Sequence, residues 1–322
     1  MTQTDPEGRK IRIGISSCLL GEKVRYDGGH KLDHFLKDTL GAYVEWVPVC
    51  PEVEAGFPVP REPMRLAGDA AAPRLVTVRS GIDHTDRMHA WAEAKVGAIE
   101  KLDLCGFVFK SRSPSSGMRG VKVYGLSGVP SHTGVGIFAR MFMERFPFVP
   151  VEDEGRLHDP SLRENFIERI FVYRRWKEMV RGRGALRELV SFHTDHKLLI
   201  LAHSPKHYTQ LGRLVAHAKE QERQALLNEY FTVLMDGLKL LATTRKNTNV
   251  LQHIAGYFRK QLSSEEKQEL LGVIESYHTG IAPLIVPLVL INHYVRKYDE
   301  PYLKRQYYLH PHPAELMLRN HV

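Results

Sequence analysis

Apolar and polar positions change their rhythm near residue 160. Before it, short apolar runs alternate with amphipathic stretches. Runs at 11–16, 44–49, 74–79 and 104–110 predict strands, the first reading Ile11-Arg12-Ile13-Gly14-Ile15-Ser16. A helical stripe of Met88, Trp91, Ala92, Lys95, Val96 and Ile99 predicts a helix over 85–101, and weaker periodicity predicts others over 31–40 and 134–146. Gly, Pro and Asp crowd 54–73, which reads as loop. Strands and helices in alternation predict βαβ units around a mainly parallel, Rossmann-like sheet. Beyond Ser161 only helices are predicted, over 161–181, 185–202, 205–221, 222–244, 248–261, 264–279 and 284–298. Start signals include Pro205 after Ser204 and Glu265-Glu266 after Ser263-Ser264. The polar, turn-rich stretch 151–160 separates the two patterns. The expected fold is thus an α/β domain over 1–155 followed by an all-α domain over 156–322.

Composition narrows the class. The chain has 322 residues, 43% hydrophobic and 25% charged, the balance of a globular protein. Its longest apolar run, 281–291, falls short of the roughly 20 residues of a spanning helix and contains Pro283 and Pro287. No membrane partner is expected. The polar start Met1-Thr2-Gln3-Thr4-Asp5 lacks a signal-peptide core. Three cysteines, an odd number, argue against a disulfide framework and for a cytoplasmic setting where thiols stay reduced. The net charge of +8 divides into about +3 up to residue 150 and about +5 beyond, which admits a polyanionic partner such as RNA without requiring one. The sequence carries no signal of oligomeric state.

Candidate chemistry gathers at strand ends. Cys18 follows the first strand and Cys50 the second, with Glu52 two residues on. Ligands of open α/β sheets bind where strands end, so these two thiols and one carboxylate can share a crevice. Thiolates select zinc, copper(I) or iron–sulfur clusters. The alternative is that each cysteine is a small buried apolar residue. Lys110-Ser111-Arg112-Ser113-Pro114-Ser115-Ser116-Gly117 follows the apolar Phe107-Val108-Phe109, and its hydroxyls and cations suit a phosphate or a carbonyl-rich ring. Val24-Arg25-Tyr26-Asp27-Gly28-Gly29-His30-Lys31 adds a tight turn with cations near Cys18. In the helical half His193, His196 and His203 can share a helix face, as hydrogen-bonding groups, metal ligands or part of an RNA-facing surface, and Tyr257-Phe258-Arg259-Lys260 offers stacking with charge.

Four motifs in series make the reading specific. Ser17-Cys18-Leu19-Leu20-Gly21, Arg25-Tyr26-Asp27-Gly28-Gly29, Pro48-Val49-Cys50-Pro51-Glu52 and Ser113-Pro114-Ser115-Ser116-Gly117 together resemble the thiouracil desulfidase (TudS-like) family over residues 10–150. Phe192-His193-Thr194-Asp195-His196-Lys197, Leu201-Ala202-His203-Ser204-Pro205 and Pro311-His312-Pro313 resemble a YbgA-like helical domain. The resemblance implies an iron–sulfur desulfidase that takes sulfur from thiouracil or 4-thiouridine, free or in tRNA. It implies a 4Fe-4S cluster held by three cysteines, with Cys18 and Cys50 at two ligand positions. Glu52 and Ser113 then take catalytic roles, and Asp27, Lys110, Ser111 and Arg112 position the thiolated pyrimidine. The third family cysteine falls at Ser116 here. Thiolate chemistry favours Cys105 as its replacement. Position favours Ser116, because an extended 105–110 puts Cys105 on the order of 17 Å from the strand tip. The readings set against the enzyme are a non-catalytic RNA-binding adaptor and a zinc protein using Cys18, Cys50 and a histidine.

Overall fold

The computed structural model describes residues 10–125, 129–182 and 185–320, so the Met1–Asp5 start lies outside the described residues. The chain divides into two units, Met1–Asp159 and Pro160–Val322.

The first unit is built on a four-stranded parallel sheet in the order β2-β1-β5-β8, from β1 (Ile11–Ser16), β2 (Val44–Val49), β5 (Phe107–Phe109) and β8 (Val151–Asp153). β1 is central and nearly continuously buried, as parallel strands covered on both faces are. Gly14 permits its closest contact. A side chain there would meet the ring of Phe107, which belongs to an aromatic cluster with Phe109, Phe138 and Phe142. Phe138 and Phe142 come from α3 (Ile137–Arg145), whose aromatic residues recur at helical spacing.

A second sheet, in the order β4-β3-β6-β7, is mixed. It comprises β3 (Met64–Ala67), β4 (Arg74–Thr77), β6 (Val121–Tyr124) and β7 (Pro130–Gly134), with only β3 and β6 parallel. Leu66, Leu75, Val121 and Val123 pack with Phe57, Met88 and Ile137. Met88 brings in α2 (Thr85–Glu100), which starts where Asp83 Oδ1 accepts the Thr85 amide at 2.9 Å. This sheet corrects the strand assignments. The 74–79 run belongs here and pairs antiparallel with β3, inside the stretch read as loop. β7 carries no apolar side chain except its leading proline, so its sequence lacks the alternation that marks a strand. The helix expected over 31–40 is a π-turn at Phe35–Thr39 followed by a 3₁₀ turn at Leu40–Ala42.

β8 lies at the start of the polar, turn-rich stretch 151–160, inside the first domain expected over 1–155. Glu152 and Asp153 of its acidic run are both buried in the parallel sheet. Arg156 Nε donates to Glu152 at 2.8 Å and Arg119 Nε to Asp153 at 3.4 Å. Buried carboxylates survive when paired.

The second unit is helical: α4 (Pro160–Gly182), α5 (Leu186–His203), α6 (Pro205–Ala216), α7 (Arg223–Leu238), α8 (Thr244–Tyr257), α9 (Ser264–His278), α10 (Ile285–Lys297) and the short α11 (Pro301–Lys304). α7 ends well before 244 and α8 begins before 248, because the Thr243 hydroxyl caps α8 through the Lys246 amide. Ser263 and Glu266 form a reciprocal cap on α9. None of the described helices is long and apolar enough to cross a membrane.

Two glycines separate packing from backbone effects. A Cβ on Gly14 would lie 2.2 Å from Phe107 Cδ2, whereas one on Gly97 in α2 meets nothing within 4 Å. Gly14→Ala is expected to destabilise the first unit by about 1–3 kcal/mol through overpacking. Gly97→Ala is expected to stabilise it by about 1 kcal/mol through helix propensity. Urea midpoints followed by Trp46 and Trp91 fluorescence in a Trp176→Phe background measure both. An unchanged midpoint for Gly14→Ala contradicts the packing argument.

Candidate active site

The carboxyl ends of all four parallel strands open on one cavity of about 940 Å³. β1 delivers Ser16, Ser17 and Cys18, β2 delivers Cys50 and Glu52, β5 delivers Lys110 to Ser113, and β8 delivers Asp153, Gly155 and Arg156. Met64 of β3 and His132 of β7 reach it from the second sheet. The two thiols therefore line the same space. Cys18 sits in the 3₁₀ turn Ser17–Leu20, and Gly21, at φ 94°, closes that turn in a conformation open to glycine. Cys50 caps the one-turn helix α1 (Pro51–Glu54), and its amide donates to Glu54 Oε1 at 3.0 Å.

Both thiols are held neutral in the free protein. Burial pushes Cys18 up to about 11 against the opposing pull of Lys110 and Arg25. Burial and then the Glu52 carboxylate push Cys50 up to about 12, with Cys18 adding a small increment of the same sign. The Cys50 thiol faces Glu52 Oε2 at 3.7 Å and the Val24 carbonyl at 3.9 Å. Among the described residues the Cys18 thiol has no hydrogen-bond partner.

Glu52 is the hub of the polar side. Its Oε1 accepts the Ser115 hydroxyl, and its Oε2 lies 3.7 Å from Arg61. Ser115 Oγ is 3.0 Å from Ser113 Oγ, so Ser113, Ser115 and Glu52 form one hydrogen-bonded chain. Ser113 Oγ also accepts the amides of Ser115 and Ser116, which folds the loop on itself. Gly136 lets α3 start against that loop, since a Cβ there would lie 2.5 Å from the Ser115 carbonyl carbon. The sequence reading passed over Ser115 and Arg61. Ser115 lay inside the motif already noted, two positions after Ser113, whereas Arg61 carried no local signal.

Lys110 and Ser111 are anchored by a residue the sequence reading also missed. Glu154 accepts the Lys110 ammonium, the Ser111 amide at 2.6 Å and the Ser111 hydroxyl at 2.8 Å. Arg112 lines the cavity at φ 58°, a left-handed conformation costly for a side chain of its size. Among the described residues neither Arg112 nor Lys31, both on the cavity wall, has an ion-pair partner.

Two expected residues stand apart from this group. Asp27 does not line the cavity; its carboxylate is spent on its own turn, accepting the Gly29 amide at 3.0 Å beside Arg25. Cys105 is fully buried before β5 begins, and its amide donates to Arg12 O at 2.8 Å, at the opposite end of β1 from Cys18. The strand rise over residues 12 to 17 is about 17 Å, so Cys105 is out of reach of a centre at the tips. Ser116 lines the cavity and its hydroxyl has no hydrogen-bond partner among the described residues. Two thiols and one hydroxyl thus face a common space, and this donor set fits a thiophilic metal centre that accepts one oxygen ligand.

The histidines of the helical unit turn inward and are not an RNA-facing surface. His193 bonds Tyr230 OH at 3.0 Å, and His196 lies between the Phe192 carbonyl at 2.7 Å and Arg175 at 3.0 Å. His203 contacts the Leu240 carbonyl at 2.7 Å and Glu168 at 3.0 Å. Phe258 is fully buried, while the exposed Tyr257 stacks on Tyr302.

Comparison with known proteins divides at the same place. Residues 13–154 match the 2-thiouracil desulfurase family, and residues 197–313 match the family named Protein of unknown function (DUF1722). Escherichia coli K12 YbgA is 38% identical over 147 residues, covering 45% of this chain and 85% of that protein. Bacillus subtilis 168 YbbK is 28% identical over 137 residues, covering 41% of this chain and 89% of that protein. Among solved structures, the [4Fe-4S]-dependent thiouracil desulfidase TudS is 33% identical, with a TM-score of 0.39, covering 47% of this chain and 95% of that one.

The electrostatics can be read by alkylation of metal-free protein. The Glu52 charge raises the Cys50 pKa, so Glu52→Gln lowers it and increases the thiolate fraction at any pH below it. Lys110 lowers the Cys18 pKa, so Lys110→Ala raises it. Iodoacetamide labelling followed by mass spectrometry between about pH 8 and 11 is expected to run several-fold faster at Cys50 in Glu52→Gln and slower at Cys18 in Lys110→Ala. The opposite order in either variant contradicts the assigned fields.

Proposed function

We propose that this chain, which belongs to the family of Escherichia coli YbgA and matches the 2-thiouracil desulfurase family over residues 13–154, is a desulfidase that replaces the sulfur of a thiolated pyrimidine by oxygen at the strand tips of its first unit. The observation that carries the proposal is the shared cavity, in which Cys18, Cys50 and the Glu52–Ser115–Ser113 chain meet. The net reaction exchanges the thiocarbonyl sulfur for the oxygen of water and releases hydrogen sulfide, with no change of oxidation state.

In this reading Cys18 and Cys50 hold a 4Fe-4S cluster, and Ser116 is the third protein donor. When bound, such a cluster supplies a Lewis-acidic iron for sulfur. Glu52 accepts the proton of the attacking water, the role of a general base. Ser115 and Ser113 carry that proton towards the departing sulfur through their hydroxyls. Arg61 fixes the Glu52 side chain from the opposite side. Lys110 and Ser111, locked together by Glu154, form a fixed cationic wall beside the ring, and Arg112 on the same wall donates to the ring oxygen and nitrogen acceptors.

The cavity exceeds what a single pyrimidine ring fills. Lys31 and Arg112 on its wall, with the overall charge of +8, support a nucleic-acid substrate, 4-thiouridine within tRNA in a cytoplasmic setting. The helical unit then adds electrostatic hold on the RNA body.

Anaerobic purification tests the centre. Iron and sulfide near four each per chain, with a brown absorbance near about 400 nm lost in Cys18→Ala, are expected. Ser116→Cys is expected to retain the cluster and Cys105→Ala to leave it unchanged. Zinc or no metal in the purified chain contradicts the proposal and favours the zinc or adaptor alternatives. With cluster present, Glu52→Gln is expected to slow loss of the thiocarbonyl absorbance of thiolated tRNA by about 10²–10⁴-fold. Unchanged turnover removes Glu52 from the chemistry.

A further inference from the structure

The helical unit brings together a second set of ligand-type side chains. Glu164 and Glu168 stand one turn apart on α4 and so share a face. One carboxylate oxygen of each and one ring nitrogen of His312 lie within 4.8 Å of one another. Glu168 and His312 are more than nine-tenths buried.

An ion-pair cluster accounts for much of this arrangement. Arg319 Nε donates to Glu164 Oε1 and its NH2 group to Glu168 Oε1, each at 2.8 Å, and His203 Nε2 lies 3.0 Å from Glu168 Oε2. That cluster leaves one atom unexplained. His312 turns Nδ1 to the Pro313 carbonyl at 3.1 Å, while its buried Nε2 has no hydrogen-bond partner among the described residues. A ring nitrogen facing a carbonyl carries the hydrogen, so Nε2 keeps the lone pair. A buried acceptor left unpaired carries a desolvation cost.

We propose that Glu164, Glu168 and His312 form a divalent metal site of the zinc class, separate from the centre at the strand tips. The outer contacts have the form that metal ligands take. The imidazole donates its other N–H to a backbone carbonyl, and both carboxylates are themselves hydrogen-bonded, here by Arg319 and His203. Tetrahedral ligation at about 2.1 Å sets ligand atoms roughly 3.4 Å apart, within the span the three atoms already occupy. Each carboxylate oxygen has two lone pairs, so it can accept a hydrogen bond and bind an ion together. Such an ion fastens the C-terminal segment around His312 to the first turns of α4.

The test uses the full chain carrying Cys18→Ser and Cys50→Ser, stripped by chelator and titrated with Co²⁺ and then Zn²⁺. One Co²⁺ per chain is expected, with visible d–d bands, no thiolate-to-cobalt band in the near ultraviolet, and displacement by Zn²⁺. His312→Gln is expected to weaken Zn²⁺ binding about 100-fold or more, with an unchanged circular dichroism spectrum. Glu164→Gln, at a partly exposed side chain, is the second variant and is expected to weaken binding in the same sense. Failure of the chain to take up a stoichiometric metal, a thiolate band from the bound Co²⁺, or equal affinity in Glu164→Gln and its parent overturns the site.

Discussion

Parallel pairing in register is the constraint on which the active-site geometry rests. Ile11 lies opposite Val44 and Ser16 opposite Val49, so β1 and β2 end level with each other. Gly14 and Ile15 face Phe107 and Val108, and Phe109 faces Asp153, which brings β5 and β8 to the same edge. Slipping β1 by a residue would invert its side chains between faces and drive an isoleucine into the space that Gly14 leaves for Phe107. The apolar run of β1 therefore does two things: it buries the sheet's centre and, through that burial, levels the tips from which Cys18 and Cys50 project. The close approach at Gly14 sets how tightly Phe107 can lie on the strand, and through α3 it bears on the loop that carries Ser115.

The strands that were legible were the ones with continuous apolar residues. β1 and β2 match their expected limits, and α2 differs by one residue: β1 is buried almost throughout, β2 is a mostly apolar run closed by the buried Val44 and Val49, and α2 buries a helical stripe. β3, β7 and β8 left none. β3 buries Leu66 alone among its four residues, β7 is an edge strand of small and polar residues, and β8 consists mainly of acids whose partners Arg156 and Arg119 come from elsewhere. Partners at long sequence separation are invisible to periodicity. The same reason hid Arg61 and Glu154 from the site, since their importance lies in contacts 9 residues away to Glu52 and 43 residues away to Ser111. Cys18, Cys50 and Glu52 were legible because each lies within three residues of a strand end. Asp27 and Cys105 stand apart from the cavity, because residue type carries no sign of which way the chain turns.

Charge at the cavity is arranged in fixed pairs with few loose ends. Lys110 is held by Glu154, Arg119 by Asp153, Arg156 by Glu152, and Arg25 by Asp27. Pairing offsets the cost of burying these groups, and it also fixes their direction before a substrate arrives. The helical unit applies the same rule to a larger buried set, with Arg319 joining Glu164, Glu168 and the Tyr308 carbonyl. Only where a polar atom is left over, as at His312 Nε2, does the rule fail on protein groups alone.

The thiols show what that rule demands at the strand tips. A neutral buried thiol is inexpensive, and burial holds Cys18 and Cys50 in that form. Placing two of them on one cavity has no packing advantage over two alanines. Bringing Glu52 within 3.7 Å of Cys50 makes the thiolate still harder to form. A soft cation reverses each of these penalties at once, since it deprotonates a coordinating thiol outright and its charge offsets the carboxylate nearby. The hydroxyl of Ser116 fits the same demand, because an oxygen donor with no hydrogen-bond partner among the described residues is available to a third coordination position. Arg25 and Lys110, which act on Cys18 in the opposite direction from burial, then supply positive potential around an electron-rich centre. The arrangement is costly for a protein that uses its cysteines as filler and economical for one that binds a thiophilic ion.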